Sequence, residues 1–156
     1  MKIYFTYENK TREGCESVVP LTTGNYESES IEEISGESVL EKVENLPRFL
    51  DECYRLLKPG GKAVFSSFYY ASVQAWQSPL TKRGISETSL SFADKKWREQ
   101  NNFSEVDCKC DFEIQASFAI DPSVEKERSE AAKLFWLGKF NNVVQAVLFT
   151  LTKRNP

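Results

Sequence analysis

The run from Glu52 to Lys62, ECYRLLKPGGK, constrains the fold more than any other part of the chain. Apolar side chains within it and just before it recur at helical spacing, at Leu46, Phe49, Leu50, Cys53, Leu56 and Leu57. Asn45 is suited to cap such a helix, and Pro47 is tolerated in its first turn. The spacing therefore predicts a helix with one buried face that begins after Asn45.

The same run also predicts where this helix ends. Lys58 would complement the negative end of the helix dipole, and Pro59 cannot continue a helix. Gly60 and Gly61 can adopt the positive φ angles that a sharp turn needs. The residues that follow, 63–68, are apolar and β-prone, so we expect a strand directly after the turn.

The rest of the chain predicts further strands, at Ile3–Phe5, at Ile31–Ser35, at Phe112–Ile120 and within Asn142–Lys153. The last two are expected to form an antiparallel pair. Ser86 is expected to cap a second helix over 87–100, and Pro122–Gly138 is compatible with a short helix or a lid. The order of elements indicates a single α/β domain over residues 1–156, with a mixed sheet and helices packed on it.

The composition excludes several classes of function. The chain has no histidine, which removes Ser/His and Cys/His nucleophile pairs and the common zinc ligand sets. Its four cysteines, Cys15, Cys53, Cys108 and Cys110, form no pair of CxxC units, so we expect reduced thiols and no metal site. No apolar stretch resembles a membrane span or signal peptide, and no basic patch predicts nucleic-acid binding. A cytoplasmic protein is expected.

Three segments resemble class I S-adenosylmethionine-dependent methyltransferases. In that family a strand, the letters VLEH, a helix and the letters LKPGG recur in the order seen in ESIEEISGESVLEKVENLPRFLDECYRLLKPGGKAVF, residues 29–65. SPLTKRGISETSLSF, residues 78–92, is similar to a stretch that reads roughly DPTHKR-fs-SF in one group of small methyltransferases. VVQAVLFTLTK, residues 143–153, resembles that family's last strand.

The resemblance implies a Rossmann-like methyltransferase sheet with an antiparallel C-terminal strand pair, and S-adenosylmethionine as the cofactor. The family's glycine-rich loop after the first strand would fall on Thr6, Tyr7 and Glu8, where bulkier side chains stand. The ribose-binding acid would fall near Val19, and Glu16 is the acid that lies close by. The interval between residues 14 and 31 is too short for the usual helix, strand and helix, so a truncated sheet is expected.

Polar side chains are expected at the carboxyl ends of two predicted strands, where ligands bind in open α/β sheets. Glu37 and Ser38 follow one strand, and Ser66 and Ser67 end the next. Contact with a cofactor or acceptor is one interpretation, and ordinary capping and loop polarity is the other. Glu37, Ser38 and Ser67 are therefore candidate cofactor-binding residues.

Aromatic and basic residues follow the same region. Tyr69, Tyr70 and Trp76 are suited to stack on adenine or a planar acceptor, or to pack in a subunit contact. Lys82 and Arg83 are suited to bind a carboxylate or phosphate, or to lie in a solvated loop.

Two functions remain open from the sequence. The first is methyl transfer from S-adenosylmethionine to a small-molecule acceptor, with catalytic residues that the sequence does not identify. The second is a catalytically inactive binding or interaction module, which in a homodimer would cover an exposed sheet edge or face. Without histidine, any removal of a proton from the acceptor falls to a carboxylate, lysine or tyrosine.

Overall fold

A computed structural model describes residues 1–6, 16–17, 26–125 and 129–154. Within them the strands are β1 (Lys2–Thr6), β2 (Glu16–Ser17), β3 (Ile31–Glu37), β4 (Leu57–Phe68), β5 (Phe112–Ile120) and β6 (Val144–Lys153). The helices are α1 (Leu46–Leu56), α2 (Lys95–Gln100), α3 (Pro122–Glu125) and α4 (Glu130–Lys139), with 3₁₀ turns at Val73–Trp76 and Ser91–Ala93. The predicted strands are all present, with bounds that differ by a few residues.

The described strands form one mixed sheet in the order β2-β1-β3-β4-β6-β5. Strands β2, β1, β3 and β4 are parallel neighbours, whereas β6 is antiparallel to both β4 and β5. The predicted antiparallel C-terminal pair is therefore confirmed. Because β4 and β5 both run opposite to β6, the amino ends of β1, β3, β4 and β5 share one edge of the sheet.

Helix α1 forms where the apolar spacing predicts it and covers one face of the sheet. Its first turn is capped by Asn45, whose Oδ1 accepts the backbone N–H of Arg48 at 3.0 Å. The helix buries the side chains of Leu46, Leu50, Cys53 and Leu56. Phe49 packs on Phe65 of β4 with ring centroids 5.6 Å apart. Each fully buried apolar side chain of this kind contributes about 1.5–3 kcal/mol to the free energy of unfolding.

The helix ends earlier than the sequence suggests. Leu57 is fully buried and already extended, so β4 begins directly after α1. Lys58 lies in the strand and pairs with Glu32 at 2.9 Å, rather than at the helix terminus. The turn prediction is confirmed at Gly60, whose φ is +75°. The four residues 58–61 loop outward, because the pairing with β3 jumps from Leu57 to Lys62.

The prediction of a second helix over residues 87–100 is wrong in its start and length. The helix is replaced by the 3₁₀ turn at Ser91–Ala93 and the short α2, whose cap is Asp94 rather than Ser86. Asp94 Oδ1 accepts the backbone N–H groups of Lys96 and Trp97. Ser86 instead donates its backbone N–H to Ser89 Oγ, because the preceding Ile85 is fully buried and bridges to Tyr69. Tertiary burial thus overrides the local capping signal.

Charged side chains join the chain's last residues to the amino edge of the parallel strands. Lys153 is 5% exposed, and its Nζ donates to the carbonyl of Leu57 at 2.8 Å and to Glu29 at 3.1 Å. Arg154 pairs with Asp94 at 2.7 Å and with Asp111 at 2.6 Å. These contacts pin β6 against the amino ends of β4 and β5.

Among the described helices, none combines the length and the apolarity that a membrane crossing requires.

Candidate functional site

The carboxyl edge of the parallel strands brings together residues that are far apart in the chain. Thr6 of β1 pairs with Glu37 of β3, and Glu37 pairs with Ser66 of β4. The backbone N–H of Ser38 donates to the carbonyl of Ser66 at 2.9 Å, which holds the end of β3 against β4. Ligands in open α/β sheets bind outside this edge. The predicted candidates Glu37, Ser38 and Ser67 therefore share one edge with Thr6.

The backbone at this edge is conformationally unusual. Ser38 adopts a φ of +53°, a left-handed conformation that residues with a Cβ rarely adopt. Glu37 is exposed at the end of β3 and Ser38 is half-buried. Strained backbone of this kind is enriched where a loop must present groups to a ligand. The conformation turns the chain sharply away from the sheet edge.

Two buried polar side chains near this edge have no hydrogen-bond partner in the described part of the molecule. Ser67 is 2% exposed, and its Oγ accepts and donates no hydrogen bond. Glu41 is 3% exposed, and neither carboxylate oxygen is hydrogen-bonded. Buried polar groups are almost always paired in native proteins, so these two require an explanation. A ligand that carries hydrogen-bond donors provides one.

Glu41 is a candidate site residue that the sequence analysis does not identify. It is the acid of VLEK, residues 39–42, within the segment that resembles the methyltransferase family. The available signal was an acid between apolar residues: Val39, Leu40 and Val43 are all buried. An acidic side chain between apolar residues either projects into solvent or is buried against a binding partner. In the structure the Glu41 side chain is buried.

Of the other predicted cofactor-binding residues, Thr6 lies at the carboxyl edge and Glu16 lies farther from it. Thr6 ends β1, and its backbone lies at the carboxyl edge. Tyr7 and Glu8 lie outside the described residues. Glu16 lies in β2 opposite Ile3, in the first half of β1. In the described register Glu16 is therefore three residues away from the level of Thr6.

An open cleft lies next to this edge, just beyond the end of β4. It encloses about 460 Å³, and its lining consists of Tyr69, Tyr70, Trp76, Gly84, Ser86, Glu87 and Thr88. Tyr70 is 50% exposed and Trp76 is 60% exposed, so both rings present faces to solvent. Gly84 is required by close packing, because a Cβ there would lie 2.9 Å from Cβ of Tyr70. The volume is in the range of small-molecule sites.

The lining of the cleft includes one carboxylate, that of Glu87. Tyr69 donates its hydroxyl to Glu87 Oε2 at 3.0 Å. Burial and this hydrogen bond to Glu87 raise the pKa of the Tyr69 hydroxyl, so Tyr69 remains protonated at neutral pH. Trp76 donates its indole N–H to the carbonyl of Tyr70 at 2.9 Å, which fixes its ring. In this cleft Glu87 is a hydrogen-bond acceptor and Tyr69 is the donor.

The two basic residues of the TKR run have a structural role. Arg83 donates to the carbonyls of Leu40 and Val43 at 2.7 Å each, and to that of Glu44 at 3.0 Å. Lys82 forms an ion pair with the exposed Glu44, and its backbone N–H donates to the carbonyl of Glu41 at 2.8 Å. These contacts clamp the loop that carries Glu41. They account for Arg83 without a substrate carboxylate or phosphate.

Comparison with known proteins agrees with the observed fold. A family model described as a methyltransferase domain matches residues 8–65, the part of the chain that runs up to Phe65 in the middle of β4. No curated protein sequence matches the chain significantly.

Solved structures extend the likeness to most of the chain. A SAM-dependent methyltransferase from Archaeoglobus fulgidus is 14% identical over 90% of this chain and 68% of its own, with a TM-score of 0.59. A possible histamine N-methyltransferase from Thermotoga maritima is 17% identical over 90% of this chain and 65% of its own, with a TM-score of 0.53. A putative S-adenosylmethionine-dependent methyltransferase from Listeria monocytogenes is 11% identical over 93% and 72%, with a TM-score of 0.53.

The chain therefore has the Rossmann-like fold of class I S-adenosylmethionine-dependent methyltransferases. The resemblance to this family that the sequence motifs indicate is confirmed. The chain spans 65%, 68% and 72% of the lengths of the three structures.

Proposed function

We propose that the chain binds S-adenosylmethionine at the carboxyl edge of its sheet and transfers the methyl group to a small-molecule acceptor in the aromatic cleft. The observation that supports this most is the alignment of Thr6, Glu37 and Ser66 across three strands, directly beside that cleft. Two sites next to each other, one for cofactor and one for acceptor, are what methyl transfer needs. A cytoplasmic setting belongs to the proposal as a prediction from composition.

The polar groups at the edge suit the cofactor's chemistry. Bound S-adenosylmethionine supplies an electrophilic methyl group on a cationic sulfonium, and it also carries an ammonium group and ribose hydroxyls. Glu37 and Ser38 offer acceptors at the exposed end of β3. The unpaired oxygens of Glu41 and Ser67 are suited to donors of the cofactor or the acceptor, because each lacks a partner in the described structure. Of the three predicted glycine-loop positions, Thr6 ends β1, and Tyr7 and Glu8 lie outside the described residues.

The cleft suits a flat acceptor with an O–H or N–H group. Tyr70 and Trp76 would stack on its apolar face. Glu87 would accept a hydrogen bond from the nucleophilic atom and then its proton, since no histidine exists to do so. Tyr69 would keep the Glu87 carboxylate oriented.

Calorimetric titration with S-adenosylmethionine and S-adenosylhomocysteine tests the cofactor half of the proposal. One site per chain is expected. Glu37→Ala should weaken binding about tenfold, the loss of one hydrogen bond to a charged or polar group. Glu113→Ala, at an exposed position of β5, is the matched control and should bind as the unaltered chain does. Absence of binding at millimolar ligand would overturn the enzyme proposal.

Transfer of a labelled methyl group to a panel of planar phenols and amines tests the acceptor half. Glu87→Gln should lower turnover by about 10²-fold and leave cofactor affinity unchanged. Gly84→Ala should also lower turnover, because its Cβ would displace Tyr70 at 2.9 Å. Unchanged turnover in Glu87→Gln would show that the cleft does not hold the acceptor.

The face of the sheet away from α1 favours a second function. This function is an interaction module that forms a homodimer. Phe68 is 37% exposed and Leu148 is 43% exposed, and the register places both on the face away from α1. Strand β5 is exposed from Gln115 to Ala119 at the sheet's edge. Contact with a second copy would cover this apolar surface. Sedimentation should then give a dimer that Leu148→Glu converts to a monomer, whereas a strict monomer would remove this alternative.

A further inference from the structure

Three potential ligands for a metal ion converge on the side of the molecule away from the carboxyl edge. Asp51 lies in the middle of α1, and Cys108 and Cys110 lie just before β5. A carboxylate oxygen of Asp51 and the two sulfur atoms all lie within 4.8 Å of one another. The two sulfurs are 3.1 Å apart, and Cys108 Sγ is 3.4 Å from Asp51 Oδ1. Residues nearly 60 positions apart thus form one compact donor set.

The backbone around this cluster is held in place independently of any ligand. Asp51 Oδ1 accepts the backbone N–H groups of Lys109 and Cys110, each at 2.8 Å. Arg98 donates to the carbonyl of Cys110 at 3.1 Å. Asp111, the next residue, is paired with Arg154 at 2.6 Å. Because these contacts fix the loop on α1, the two thiols lose little further freedom when they bind a ligand.

We propose that Asp51, Cys108 and Cys110 form a site for a thiophilic divalent metal ion of the zinc type. Two thiolates and one carboxylate are a donor set for borderline and soft ions and disfavour magnesium and calcium. Two sulfurs on one tetrahedral zinc ion lie about 3.8 Å apart. The sulfurs need to separate by less than 1 Å from their present distance, which small side-chain rotations supply. The fourth position is left to water.

Metal binding at this site is coupled to loss of protons, because thiolates rather than thiols are the metal ligands. Binding of M²⁺ forms two metal–sulfur bonds and releases two protons. The hydrogen bonds that Asp51 accepts from Cys108, Lys109 and Cys110 all go to Oδ1, so Oδ2 is the oxygen that we assign to the metal.

Titration of the reduced full-length chain with Cd²⁺ tests the site, because cadmium thiolates give a charge-transfer band in the near ultraviolet. One Cd²⁺ per chain is expected, displaceable by Zn²⁺. Replacing both Cys108 and Cys110 with Ser should abolish the band, and Asp51→Asn should weaken the affinity about 10- to 100-fold. A Cys15→Ser, Cys53→Ala chain is the matched control, which removes two thiols and should keep the band.

Asp51→Asn retains a carbonyl oxygen for the two backbone N–H groups, so its fold is expected to persist, as far-ultraviolet circular dichroism would verify. A ¹¹³Cd resonance of the unaltered chain at the position of a two-sulfur site supports the proposal without any variant. No band in the reduced chain, a band that survives loss of Cys108 and Cys110, or oxidation of the pair to a disulfide with no metal uptake after reduction would each overturn it.

Discussion

Buried polar side chains are paired at the amino edge of the parallel strands, whereas two of them lack partners among the described residues at the carboxyl edge. At the amino edge the buried Lys153 donates to Leu57 and Glu29, and Arg154 pairs with both Asp94 and Asp111. At the carboxyl edge Glu41 and Ser67 are buried without partners within the described structure. The left-handed Ser38 and the open aromatic cleft lie at that same edge.

The paired groups are candidates for stabilising the fold, and the unpaired groups are candidates for binding a ligand. Paired polar groups at the amino edge hold the last strand and the α1–β4 junction together. The groups at the carboxyl edge that lack partners among the described residues are expected to destabilise the free chain, and under the proposed function a ligand would supply the missing hydrogen bonds. Substitutions at the two edges should therefore change the free energy of unfolding in opposite directions.

The largest effect is expected at the amino edge, in Lys153→Ala. This change leaves the buried Leu57 carbonyl without its donor and removes a cation that lies 4.7 Å from the centre of the Tyr54 ring. The free energy of unfolding should fall by about 3 kcal/mol, as measured by urea denaturation. Lys62→Ala, at an exposed position of β4, is the control and should change it by less than about 0.5 kcal/mol. Equal losses in both variants would contradict the comparison.

At the carboxyl edge, Glu41→Leu should stabilise the chain. The change removes a buried carboxylate whose two oxygens have no hydrogen bond to any described residue and replaces it with an apolar side chain of similar size. A gain of about 2 kcal/mol in the free energy of unfolding is expected at pH 7, together with weaker binding of S-adenosylmethionine. Glu44→Leu, at an exposed neighbouring position, should give no such gain. A loss of stability in Glu41→Leu would show that this carboxylate is not a destabilising group.

The pairing of Asp94 with Arg154 predicts a pH dependence. The hydrogen bond from Arg154 lowers the pKa of Asp94, so the folded state binds its proton less tightly than the unfolded state. The stabilisation is therefore complete above the ordinary Asp pKa of about 4 and is lost as the pH falls below it. Asp94→Asn keeps an oxygen for the α2 cap and should lower stability by about 1 kcal/mol at pH 7.

The difference between this variant and the unaltered chain should shrink as urea denaturation is repeated toward pH 3. A difference that stays constant with pH would mean that the ion pair contributes nothing. Asp107→Asn, which removes an exposed carboxylate, is the control for a general effect of charge.

The smallest effect is expected for Ser67→Ala. Its hydroxyl is buried without a partner in the described part of the chain, so its removal should raise the free energy of unfolding by about 0.5 kcal/mol. Ser72→Ala is the matched control, because that buried hydroxyl accepts the N–H of Gln74 at 3.3 Å and should destabilise when lost. The same sign in both variants would contradict the distinction between paired and unpaired hydroxyls.

Much of the fold was predictable because its signals are local. The apolar spacing from Leu46 to Leu56, the cap at Asn45 and the positive φ of Gly60 all depend on residues close in sequence. The alternation in Phe112–Ile120 likewise identified a strand. The start of α2 was not predictable from Ser86, because the burial of Ile85 against Tyr69 decides that turn. That contact joins residues 16 positions apart.

The candidate site was predictable in part. Glu37, Ser38 and Ser67 follow or end predicted strands, and parallel strands bring such ends to one edge. The role of Arg83 was not predictable, because its partners are the carbonyls of Leu40, Val43 and Glu44, about 40 residues earlier.

The sequence by itself determined the predicted strands, helix α1, their order and the family whose fold they share, since periodicity, caps and the LKPGG run act over a few residues. Only the tertiary structure decided which polar groups are paired. Whether Glu41 is exposed or buried, and whether Asp51 meets Cys108 and Cys110, depends on how α1 packs against loops far away in the chain. Burial and pairing are properties of the whole packed molecule, so no local pattern encodes them.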